Sequence, residues 1–189
     1  SNCYILSTGQ ALDISILYAD VMWNALPANE RKRWSRYALA LVYIVWDPDN
    51  WGHVTYTTGQ LPPFGNFTGC RWVGLAMASI FFEGHPAAEK WRKFAITEVK
   101  RETSATISAD GVYPECVSNY YPFWWQNVTR ASLAFQRHGY ADYRNNQKYH
   151  KAITFLIDIL TPPDATCHQD PETLTGIRMI PPVGHHPGA

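Results

Sequence analysis

From Ala11 to Leu160, apolar residues recur at three- and four-residue spacing, and Pro, Gly and Asp cut the pattern at short intervals. Such a run folds into consecutive helices joined by tight turns, because only one stripe of each segment is apolar and must find a partner. Ala11 to Leu26 is expected as a first helix, with Leu12, Ile16, Ala19, Trp23 and Leu26 on one face and Pro27 as its stop. Asn29 is the expected cap of a second, which carries Trp34, Tyr37, Ala38, Leu41 and Val45 and ends at Asp47-Pro48-Asp49. A third runs from its cap Thr68 to Phe82, with Val73, Ala76, Met77 and Ile80 inward and Gly84 as terminator.

A fourth helix is expected from Pro86 to about Ile107, with Trp91, Phe94, Ala95 and Val99 on its apolar face. A fifth starts near Tyr121 to Phe123, buries Trp124, Val128, Ala131 and Phe135, and stops at Gly139. The sixth spans about Tyr143 to Leu160, with Ile153, Leu156, Ile157 and Leu160 inward, before Thr161-Pro162-Pro163. The expected class is therefore all-α, with antiparallel hairpins in layers, part of a toroid or a bundle. Residues 1–163 form the helical domain, and 164–189 an irregular C-terminal linker or arm, in which Ile177 to Ile180 could make one short strand.

Two loops punctuate the helices differently. Asp49 to Phe67 contains Asn50-Trp51-Gly52-His53, a β-like Val54 to Thr57 and a Gly/Pro-rich stretch ending at Asn66. The second loop is the polar turn Ala109 to Glu115, with Asn119-Tyr120-Tyr121 just beyond. A helical hairpin separates them, so both return to one end of the molecule. Asn66 there is suited to bind a carboxylate, with the helix N-terminus adding positive potential. Glu115, in an aromatic setting, is suited to act as an acid or to share a proton. Either Tyr120 or Tyr121 is suited to proton transfer, but adjacent residues point in different directions. Arg71, one turn into the third helix, is a candidate anion partner.

Composition narrows the function. The 189 residues carry 16 basic and 16 acidic side chains, so a general nucleic-acid binder is not expected. No apolar run reaches the length that crosses a membrane, and no signal-peptide pattern opens the chain. Eight Trp stand out; core packing accounts for most of them, but Trp51, Trp124 and Trp125 lie near loops, where flat sugar faces could stack. The four Cys lack zinc-ribbon spacing, the His residues are scattered, and no P-loop or dinucleotide fingerprint occurs. No metal or cofactor is expected. Asn66-Phe67-Thr68 and Asn127-Val128-Thr129 are glycosylation sequons, and they support a secreted location, extracellular or periplasmic.

Taken in order, these features resemble the helical domain of heparinase II/III-like polysaccharide lyases. The resemblance runs from Ala11 to Gly184. It rests on Asn66 before Arg71-Trp72-Val73-Gly74-Leu75-Ala76, on Ala88 and Trp91, on Asp110-Gly111 followed by Glu115 and Tyr120-Tyr121, and on Leu160-Thr161-Pro162-Pro163-Asp164. The tail Arg178 to Gly184 resembles the linker after the last toroid helix. The family implies an incomplete α/α toroid joined to a C-terminal β-sandwich domain, and cleavage of an acidic, uronate-containing polysaccharide by β-elimination. Carried over by position, Asn66 and Glu115 neutralise the uronate carboxyl, and Tyr120 or Tyr121 transfers a proton. Trp51, His53, Arg71, Asn119, Trp124 and Trp125 are the expected substrate contacts. Alginate-cleaving relatives have a His directly after the Asn, where this chain has Phe67, so the base stays open. Two alternatives remain: a non-catalytic carbohydrate-binding or scaffold domain, and a glycoside hydrolase using Asp110 with Glu115 as its carboxylate pair.

Overall fold

The computed structural model describes residues 3–47, 50, 66–112, 120–143 and 145–158, and of residues 3–7, 66, 67 and 120 the backbone alone. The chain is all-α. The six helices described are α1 (Cys3–Met22), α2 (Ala28–Trp46), α3 (Asn66–Phe81), α4 (Ala88–Thr106), α5 (Tyr120–Arg137) and α6 (Gln147–Asp158). The β-like stretch at 54–57 and the strand at 177–180 fall outside the described residues.

α3 is the hub, touched by α1, α2, α4 and α5. Its sequence explains why. Beyond the stripe expected for it, Trp72, Leu75, Ala78 and Ser79 are also buried, whereas Met77 and Ile80 are only partly so. A helix apolar on nearly every side belongs inside a bundle. Small residues let α1 lie directly against it. A Cβ on Gly9 would sit 2.4 Å from the carbonyl oxygen of Cys70, and one on Gly74 would sit 3.0 Å from that of Gly9.

Two apolar clusters flank this hub. Leu12, Ile16, Ala38, Val42, Val45, Leu75 and Trp91 join α1, α2, α3 and α4. Trp72, Val99, Trp124, Val128, Phe135 and Tyr149 join α3, α4, α5 and α6. Full burial of each large side chain contributes about 1.5–3 kcal/mol.

Helix ends depart from the sequence pattern where capping is local. α1 starts before Ala11 and ends at Met22, since backbone bonds from Ala25 and Leu26 to the Met22 carbonyl already close the turn. α2 begins at Ala28 behind Pro27 and has no side-chain cap, so Asn29 lies within it. Thr68 likewise lies inside α3, with its hydroxyl turned to α4 instead of capping. α4 opens at Ala88, two residues after Pro86, and the His85 Nδ1 accepts from the Ala87 amide at 3.1 Å.

α5 stops as expected, since Gly139 takes a left-handed φ of 71°. α6 starts at Gln147, where the Asn146 side-chain oxygen accepts from the amides of Lys148 and Tyr149. Its inward face is Tyr149 and Ala152, while Ile153 and Ile157 are 44% and 61% exposed. Of the expected stripe, Leu156 is partly buried against the core, Ile153 and Ile157 are exposed, and Leu160 lies outside the described residues.

Candidate functional site

α3 descends from Asn66, α4 returns and ends at Thr106, and α5 departs from Tyr120. Three helix ends therefore meet at one end of the bundle. A single buried carboxyl ties them together. Glu102, in the last turns of α4, is fully buried. The Thr68 hydroxyl donates to one of its oxygens and the Trp124 indole N–H donates to the other at 3.0 Å. Burial pushes Glu102 up to about 7, against the opposing effect of these two donors. The sequence signal for it was present. Glu102 continues the stripe Trp91, Ala95, Val99 at helical spacing, so its side chain had to point inward.

The end of α4 would crowd carbonyl dipoles there, but α6 covers them. Lys148 Nζ donates to the carbonyls of Ser104 and Ile107, and Lys151 Nζ donates to that of Ala109 at 2.6 Å. Cations at a helix C-terminus offset its negative end. The N-termini of α3 and α5 open at this same end, and helix N-termini favour an anion.

Of the ten residues expected at the site, Asn66 and Tyr120 are the opening residues of α3 and α5. Glu115, Asn119, Trp51 and His53 lie outside the described residues. Tyr121 is buried in the core, and its hydroxyl faces the carbonyls of Gly111 at 2.7 Å and Ala152 at 3.2 Å. Burial raises its pKa well above the usual tyrosine value. In this position Tyr121 staples the polar turn to α6. Trp124 is also fully buried, so it offers no stacking face to a ligand in this structure. Its indole N–H, which has to find an acceptor once buried, holds it to Glu102. Trp125 is half-buried, 4.8 Å from the Tyr149 ring. It lines an apolar groove of about 470 Å³ with Pro122, Leu133, Ile153, Leu156 and Ile157.

Arg71 is engaged with the end of α2. Its Nε and Nη2 donate to the Val45 and Trp46 carbonyls at 3.1 and 2.9 Å, and its guanidinium lies 4.9 Å from the Phe94 ring centre. It caps the C-terminus of α2, and burial lowers its pKa from the ordinary value. Asn127 of the second sequon points inward, 4% exposed, with its amide towards the Cys70 sulfur at 3.9 Å. A glycan needs a surface asparagine, so the folded chain cannot carry one there. Asp110 is exposed. The Ser108 hydroxyl donates to it at 2.5 Å and holds its carboxyl below the usual range.

Asp13 on α1, which is buried, forms an ion pair at 2.6 Å with the partly exposed Arg130 on α5. Burial raises the Asp13 pKa and Arg130 opposes that shift. Among the described residues, no group of His, Cys, Asp and Glu is placed to hold a metal ion, and no helix is long and apolar enough to cross a membrane.

The family model described as Heparinase II/III N-terminus matches residues 42–171, more than half of the chain. The chain belongs to this heparinase II/III family. No curated protein and no solved structure gives a significant match. The heparinase II/III match spans the starts of both α3 and α5, with the loops that lead into them. Membership relates the chain to polysaccharide lyases and to polysaccharide substrates.

Proposed function

We propose that this chain is the helical domain of a lyase that cleaves a uronate-containing acidic polysaccharide by β-elimination. The observation that carries the reading is the family match across the end where Asn66 and Tyr120 open neighbouring helices. Asn66, the two helix N-termini and Glu115 neutralise the uronate carboxyl, which acidifies the C5 proton. A base takes that proton, the C5–H electron pair becomes the C4=C5 double bond, and the C4–O bond breaks. Tyr120 is the proton-transfer residue of this reading, since the hydroxyl of Tyr121 is engaged with backbone carbonyls. Trp51, His53, Asn119 and Trp125 are the substrate contacts of this reading.

The toroid is completed, and the base at the position of Phe67 replaced, by parts of a longer parent protein that include a C-terminal β-sandwich domain. The reading places that protein outside the cytoplasm and assigns no cofactor to this chain. A hydrolase pair of Asp110 and Glu115 would have to use Glu115 as its acid, because a carboxyl held below the usual range, like that of Asp110, is a poor proton donor. One observation favours a second reading, a glycan-binding domain without turnover: Phe67 stands where alginate-cleaving relatives have a His.

The test uses the full-length parent with heparan sulfate, chondroitin, alginate, glucuronan and a neutral glucan, followed by ultraviolet absorbance of unsaturated uronate. Absorbance rising with one acidic polymer, and lost in Tyr120→Phe, is the expected result. A flat trace with new reducing ends would establish hydrolysis instead. A flat trace with glycan binding and no new ends would establish the binding domain.

A further inference from the structure

Glu102 does more than fill the core. We infer that Glu102 is the positioning residue of this face, a carboxyl clamp that fixes the first turn of α3 relative to the first turns of α5 and makes that placement respond to pH. The inference rests on the lyase reading for its catalytic consequence, though the clamp itself is independent of it. Thr68 lies two residues after Asn66, and Trp124 lies four residues, one helical turn, after Tyr120. Both donate to the same carboxyl, one to each oxygen. No other side chain described bonds these three helices together through one group.

Its surroundings make the clamp sensitive to protonation. On α4, Glu98 is the charge that acts on Glu102, and it is itself paired with Arg101. α3 presents Thr68, the Trp72 indole and the Cys70 thiol, which burial pushes up to about 12 and so keeps neutral. α5 presents Trp124, and Asp13 of α1 acts on Cys70 from the other side of α3. No described cation pairs directly with the Glu102 carboxylate. With its pKa raised to about 7, the group changes state within the physiological range. Ionised, it draws both donors in by charge-assisted hydrogen bonds; protonated, it must itself donate one hydrogen and holds them less tightly.

The experiment uses the full-length parent with Thr68→Val, Glu102→Gln and Glu102→Ala. Thr68→Val keeps the side-chain shape and removes the hydroxyl that bonds α3 to Glu102. It should lower kcat by about tenfold or more with KM changed less than about threefold, as expected when reacting groups are misplaced without losing substrate binding. Glu102→Gln can accept from Trp124 and donate to Thr68. It should recover part of the activity that Glu102→Ala loses, while the inflection near pH 7 disappears from its pH–rate profile.

A readout free of catalysis accompanies these. The Trp124 indole N–H resonance, assigned by its absence in Trp124→Phe, should shift with a midpoint near pH 7 in the wild type and stay constant in Glu102→Gln. Wild-type kcat in Thr68→Val would overturn the positioning role. An indole resonance that is flat from pH 5 to 9 in the wild type, or that titrates equally in Glu102→Gln, would overturn the pH response. If the wild type has no lyase activity, the previous reading fails on its own. The indole titration, repeated in Thr68→Val, then decides the clamp: a titration of unchanged size and midpoint there would overturn it.

Discussion

Replacing Tyr121 by Phe separates a structural tyrosine from a catalytic neighbour. In the structure the Tyr121 hydroxyl donates to the Gly111 carbonyl at 2.7 Å and lies 3.2 Å from that of Ala152. The Ala152 carbonyl keeps its place in α6, so the main loss falls on Gly111. Gly111 is buried, and its carbonyl would be left short of a donor. Removing one buried donor of this kind costs about 1–2 kcal/mol. No large cavity opens, because only one oxygen is removed. For a domain of this size each kcal/mol lowers the melting temperature by about 2–4 °C, so the expected fall is roughly 2–8 °C. Thermal unfolding followed by circular dichroism measures it, and the urea midpoint gives a second estimate. In the full-length parent, assayed well below its melting temperature, Tyr121→Phe should keep elimination activity within a fewfold of wild type, whereas Tyr120→Phe should abolish it. An unchanged melting temperature together with abolished activity in Tyr121→Phe would refute the reasoning. It would mean that the hydroxyl reaches substrate and is not a staple.

Three further outcomes follow from named contacts. Gly111→Ala should destabilise the domain by more than about 1 kcal/mol, since φ is 95° and the new Cβ would meet the Lys151 carbonyl oxygen at 2.4 Å; urea unfolding reads it. Arg130→Ala should cost about 3 kcal/mol by leaving the Asp13 carboxylate buried without its partner, and adding Asp13→Asn should recover part of that in the same assay. Glu102 should make stability fall as pH rises. Its folded pKa of about 7 exceeds the ordinary 4.5, so between these values the native state holds the extra proton. The penalty is absent below about pH 4.5, grows across that window and is complete above about 7, at roughly 3 kcal/mol at most. Unfolding free energies measured from pH 4 to 8 should show this slope in the wild type and lose it in Glu102→Gln.

Much of the fold was legible along the chain. The stripes Leu12–Ile16–Ala19, Trp91–Ala95–Val99 and Trp124–Val128–Ala131–Phe135 are buried where helical spacing put them. Periodicity is local, and it survives folding whenever one helix face meets one partner. Gly139 was equally legible, because a left-handed residue after a helix is a local requirement. The resemblance that led to the family rested on order and spacing as well, and the family match covers most of the same span.

What the chain could not specify by itself was which face of a helix would be shared, and with what. α3 looked one-sided until Gly9 and Gly74 let α1 close over its second face. α6 looked buried through Ile153 and Ile157, yet packs through Tyr149 and Ala152. That Tyr121 is turned inward is decided only by the packing of α6 against the Gly111 turn. The same holds for Trp124 and Arg71, which loop proximity placed at a cleft and which long-range bonds place at Glu102 and at the end of α2. The sequence alone determined helices, their apolar stripes and the family, because those depend on residues a few positions apart. Tertiary structure decided which polar groups are sealed in the core, because burial and its hydrogen bonds join residues far apart in the chain.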